Sequence, residues 1–220
     1  MVQRRFSGRL SIWLGLGLVL VGAAGIAAWQ FTPCEFKGTA SAEESSDIPI
    51  SFEEFRTIMV RNSPTRTIIE HGGMQLVTEE VLDLKLDLTH DRRPLLNAIL
   101  RQSQSEVTSR KRIVVAVNRE DIHAKNLELI QDAEITPQAM DVSTASLRPA
   151  GELSSYRTTL HAEPKGSATT IRVTTEIEIE KQLSKLFHGT ANSRLGASTK
   201  AAVQEQIAEL KQFTTDNAKK

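Results

Sequence analysis

The sequence predicts an α+β protein: an N-terminal transmembrane helix, then an antiparallel sheet of about six or seven strands closed by a long C-terminal helix. Three observations carry that prediction. Between residues 74 and 180, apolar and polar residues alternate in segment after segment, the period of two that a half-buried strand requires. From Leu183 to about Phe213 the period lengthens to that of a helix, and from Leu10 to Cys34 there is no charge at all. Composition agrees with one folded domain, at 40% hydrophobic and 25% charged residues. The 27 basic and 27 acidic side chains cancel, so no net field gathers nucleic acid, which is not expected as a partner. A single cysteine, Cys34, rules out an intramolecular disulfide and a multi-cysteine metal site.

Taken in order, Arg4, Arg5 and Arg9 precede the uncharged run, which exceeds the ~20 residues a helix needs to span a bilayer. Trp13 and Trp29 stand about 24 Å apart along such a helix, one near each interface. The expected layout is a basic cytoplasmic N-terminus at 1–9 and a single-pass anchor at 10–33, with the lipid bilayer as its partner. A linker at 34–49 and an exported α+β domain at 50–220, periplasmic or extracellular, follow. A cleaved signal peptide ending near Ala27 or Ala28 is the other reading of the same residues. Pro33 stands where a lipoprotein signal needs a small residue, so Cys34 is read as an exposed thiol.

"ISFEEF" starts a helix: Ser51 is the N-cap, Glu54 completes a capping box, and Ile50 and Phe55 occupy the staple positions. "TRTIIE", "HGG" and "MQLVTEEVLDLKLDLT" read as a hairpin, with Leu82, Leu84, Leu86 and Leu88 on one face and Asp83, Lys85 and Asp87 on the other. "DRRPLLNAILRQ" reads as a short helix. The segments "RKRIVVAVN", "DIHAKNLELIQDAEI", "MDVSTASL", "SSYRTTLHAE" and "TTIRVTTEIEIEK" then form an antiparallel meander, with "EPKGS" turning the last pair. Leu183, Phe187, Ala191, Leu195, Val203, Ile207 and Leu210 draw one stripe along the closing helix, and Gly189 and Gly196 interrupt it.

This order of elements, with its "PKGS" turn before the last helix, resembles the helix-grip fold of the START and polyketide-cyclase-like (SRPBCC) superfamily over about residues 76–214. The resemblance implies a curved sheet wrapped on the last helix, with a cavity between them for an apolar ligand, and it implies no reaction. Leu84, Leu86, Tyr156, Val173, Ile177 and Phe187 are the expected cavity residues, facing a helix thinned at Gly189 and Gly196.

The chemistry the residues exclude is wider than the chemistry they suggest. His71 before Gly72 and Gly73 sits in a turn with no G-x-S-x-G. His90, His123, His161 and His188 lack metal-ligand spacing, and Glu176, Glu178 and Glu180 alternate as a solvated sheet face. No Walker A or dinucleotide-binding glycine pattern occurs, and the glycines of "GLGLVLVG" belong to the apolar run. No catalytic residue, metal or cofactor is therefore expected. The expected function is a membrane-anchored, non-enzymatic module for a hydrophobic small molecule or lipid. An envelope scaffold or protein-interaction domain is the alternative, and an enzyme comes third.

Overall fold

A computed structural model of the chain describes residues 31–62, 65, 66, 69, 74–87, 106–119 and 122–218. Seven strands form one sheet: β1 (Pro33–Ile48), β2 (Met74–Asp87), β3 (Glu106–Arg119), β4 (Ile122–Ile135), β5 (Met140–Ser146), β6 (Leu153–Lys165) and β7 (Ala168–Ser184). Helix α1 (Phe52–Asn62) follows β1, and a 3-10 turn (Lys185–Phe187) leads into α2 (His188–Ala218). The spatial order is β1-β7-β6-β5-β4-β3-β2, every pair antiparallel, so the meander read from the sequence stands.

Local chemistry sets the register. Of the two residues between β6 and β7, only Gly166 has a positive φ, 62°, the pattern of a type II′ hairpin turn, and it pairs Lys165 with Ala168. Register shifts at Leu76/Thr78, Val81/Asp83, Val115/Val117 and Leu153/Ser155 bend the long strands. Opposite the third of these lies Asn126 at φ 57°, a left-handed conformation that asparagine tolerates better than most residues. The bent sheet wraps α2, which buries Leu195, Thr199, Val203, Gln206, Ile207, Leu210 and Thr214 along one stripe. Thr199 and Thr214 direct their hydroxyls to the carbonyls of Leu195 and Leu210, at 2.8 Å each, so neither buries an unpaired donor.

The buried residues form two clusters. The first joins Phe36, Ile113, Val115, Leu127, Leu129, Tyr156, Ile177 and Leu195; the second joins Ile48, Phe55, Met140, Ile171, Val173, Val203, Ile207 and Leu210. Helix α1 starts as expected at Ser51, whose hydroxyl accepts from the Glu54 amide at 3.3 Å, and Ile50 and Phe55 meet in the second cluster. The outer sheet face carries ion pairs such as Arg110–Asp132 at 2.6 Å and Lys37–Glu180 at 3.6 Å, and Glu176, Glu178 and Glu180 are exposed there.

Several sequence expectations are corrected. Residues 34–49, read as a linker, supply most of β1, which pairs with β7 along its whole length. The inward positions of this strand include Gly38, Ala40 and Ala42, small because α2 lies close upon them, so the strand lacks the large apolar alternation that would reveal it. "TRTIIE" is not a strand: Thr65, Arg66 and Ile69 are helical. Since β1 and β2 lie at opposite edges, about 29 Å apart at the usual strand spacing, the chain must cross the width of the sheet between them, and the described residues of that crossing are mostly helical. Leu183 belongs to β7 and Phe187 to the 3-10 turn, so the helical stripe begins only at Ala191.

The single-pass localisation, N-terminus cytoplasmic and domain outside, is corrected as well. Among the described residues no helix is long and apolar enough to cross a membrane, and Pro33, taken as the end of the anchor, opens a strand of the sheet. The remainder of the anchor, the 71–73 turn, Leu88, His90 and the short helix after it lie outside the described residues.

Candidate functional site

Between the sheet, α1 and the C-terminal half of α2 lies a cavity of 360 Å³. Its walls follow from strand alternation: Ile113 on β3, Leu129, Ala133 and Ile135 on β4, Met140 and Val142 on β5, Leu160 on β6 and Val173 on β7 all point inward. Met59 of α1 and Gln206 and Leu210 of α2 complete it. Polar groups on the floor are Ser109, Lys111, Gln131, Thr144 and Thr158, with Thr65 above. The Lys111 ammonium pairs with Glu79 at 2.8 Å. Gln131 accepts from Thr65 at 3.4 Å and donates to Thr144 at 3.2 Å.

The expected cavity residues divide. Tyr156 and Val173 are buried and line the cavity, while Leu84 lines it from β2 at 66% exposure, placing it at the mouth. Ile177 is buried next door, in the first cluster. Leu86 is 58% exposed and Phe187 51% exposed, and neither lines the cavity. Gly189 and Gly196 are not there either: a Cβ at either position would meet open space, so the helix is not thinned toward a ligand. The glycine that admits close approach is Gly38 of β1, where a Cβ would stand 2.8 Å from the Phe36 ring and 3.1 Å from Leu195. Gly196→Ala should therefore raise stability by up to about 1 kcal/mol through helix propensity alone. A urea titration showing a loss instead would mean that the position is crowded.

Two further side-chain groups stand outside the cavity. Cys34 is half-buried, not exposed as expected; its thiol donates toward the Leu183 carbonyl and lies 3.5 Å from His188 Nε2. On the outer face, His161 Nδ1 contacts Asp141 at 2.7 Å, and Glu163 lies 3.7 Å from Nε2. The Asp141 hydrogen bond raises the His161 pKa above its ordinary value near 6.5. A raised imidazole pKa stabilises the fold below about pH 6.5, and that contribution disappears as pH rises through the folded-state value. Melting temperature should therefore fall slightly over that window in the parent, and this part of the pH dependence should vanish in His161→Gln. Parallel curves would mean that the pair does not couple to folding.

No protein-family model and no curated protein sequence matches the chain. Among solved structures it is similar to a Thermus thermophilus protein at 16% identity and TM-score 0.48, covering 81% of this chain and 98% of that one. A Streptomyces aromatase/cyclase is similar at 10% identity and TM-score 0.46, covering 82% and 94%. Thalictrum flavum norcoclaurine synthase is similar at 10% identity and TM-score 0.38, covering 86% and 91%. With its antiparallel seven-stranded sheet wrapped on a long C-terminal helix, the chain has the helix-grip fold that the order of its sequence elements resembles.

Proposed function

We propose that this domain binds an apolar small molecule in the cavity between sheet and helix, without transforming it. The observation that carries this is the cavity itself: 360 Å³ walled mainly by aliphatic side chains lies within the range of small-molecule sites, and a core serving packing alone would close it. Binding is favoured over catalysis because the described lining holds no carboxylate, imidazole or thiol, and Lys111 is engaged by Glu79. The test is uptake of the neutral fluorophore N-phenyl-1-naphthylamine by the full chain. Saturable brightening with one site is expected, and Ala133→Phe, which adds a ring at the cavity wall, should suppress it while leaving the circular dichroism spectrum intact. A parent that takes up no probe, or a folded Ala133→Phe that takes up as much, would sink the proposal.

A second reading, a protein-interaction domain, rests on the edge strand β2, where Val81, Leu82, Leu84 and Leu86 are all exposed. It would be favoured if the parent takes up no probe and Leu82→Lys abolishes self-association measured by light scattering.

A further inference from the structure

A purely apolar pocket has no use for the straight row of polar side chains on this cavity's floor. Lys111 stands opposite Gln131, Gln131 opposite Thr144, Thr144 opposite Thr158, and Thr158 opposite Thr175. Five neighbouring strands thus contribute one residue each, all on the helix-facing side. The row is the seam between the two clusters. Ile113, Leu129, Tyr156 and Ile177 lie on one side, and Ala133, Val142, Leu160 and Val173 on the other.

The hydrogen bonds along the row are incomplete at its centre. Thr158 is committed to Thr175 at 3.0 Å and to the Thr174 carbonyl at 3.1 Å. Gln131 uses one amide proton on Thr144, which leaves the second. Thr144 is buried; among the described residues its hydroxyl accepts from Gln131 and donates to none. An unused buried donor costs about 1–3 kcal/mol, so valine and leucine at these positions would serve the fold better. At the row's end, the Lys111 ammonium is held by Glu79 at 2.8 Å, so an anion reaching the ammonium also meets the carboxylate.

We infer that the cavity selects an uncharged apolar molecule carrying a hydroxyl or carbonyl oxygen near its middle. That oxygen sits over Gln131 and Thr144, and the hydrocarbon body lies against the apolar residues on both sides. This rests on the proposed binding function and adds to it the chemical class of the ligand. A plain hydrocarbon leaves the central donors dry and unpaired, and a carboxylate finds no uncompensated cation.

Fluorene, 9-fluorenone and fluorene-9-carboxylate share one tricyclic body and differ only at its centre. Each is titrated against the full chain loaded with N-phenyl-1-naphthylamine. Fluorenone should displace the probe at about tenfold lower concentration than fluorene or the carboxylate, as expected for two donors satisfied in a dry site. Gln131→Leu and Thr144→Val should each reduce that preference while fluorene binding persists, and Thr144→Ser, which keeps the hydroxyl, should retain it. Equal displacement by fluorene and fluorenone in the parent, or tightest binding of the carboxylate, overturns the inference and leaves the binding function standing. Failure of the parent to bind the probe or any of the three removes the binding function itself. The parent comparison decides the matter even where a variant does not fold.

Discussion

Ile207→Ala is expected to lower the free energy of unfolding by about 2–5 kcal/mol, the range for truncating a buried branched aliphatic and leaving a void. Ile207 is 4% exposed and lies in the second cluster with Ile48, Phe55, Val203 and Leu210. These residues come from β1, α1 and α2, so Ile207 belongs to a cluster that joins three elements. The void cannot collapse cheaply. Its neighbours on the sheet are fixed by a β1–β7 pairing that runs the length of β1, and the helix stays seated through Leu195 in the other cluster. Urea unfolding followed by circular dichroism measures the change. A loss under about 0.5 kcal/mol, the size of an ordinary surface substitution, would show that α2 is not docked through this residue.

Ile207 was legible in the sequence because a helix repeats its apolar stripe within one segment, needing no knowledge of what lies across from it. The meander from β3 to β7 was legible for a similar reason: each strand alternates on its own, and Gly166 fixes the turn between the last two. β1 was not. Its inward residues are small because a helix presses on them, and that cause lies some 150 residues further along the chain, at Leu195. The polar row was half legible. Gln131 breaks an apolar face in "NLELIQDAEI", as Thr158 does in "SSYRTTLHA". The Gly166–Ser167 turn, pairing Lys165 with Ala168, also brings Thr158 opposite Thr175. Aligning Lys111, Gln131 and Thr144 with them requires the lengths of two further connections, which propensity does not set. Gly189 and Gly196 misled because a glycine within a helix signals a close approach only when something lies against it, and at these two nothing does.

Gly38→Val is expected to destabilise the fold by about 1–3 kcal/mol, the usual cost of overpacking a filled interior. Two effects oppose each other. Valine suits a strand better than glycine by up to about 1 kcal/mol, and on an open edge strand that would win. Here the new Cβ would stand 2.8 and 2.9 Å from two atoms of the Phe36 ring and 3.1 Å from Leu195 Cδ2, below ordinary contact distance in every case. Neither neighbour can yield freely: Phe36 and Leu195 are buried in the first cluster, and the Phe36 ring packs at 5.0 Å against that of His188. The strain must pass to α2, which would have to lift from β1. Gly38→Ala should show a smaller loss in the same direction. Combining Gly38→Val with Phe36→Leu should cost less than the two separate losses added together, because a shorter side chain vacates the space the valine needs. A Gly38→Val protein that melts at or above the parent temperature would mean that α2 does not rest on β1 at this point.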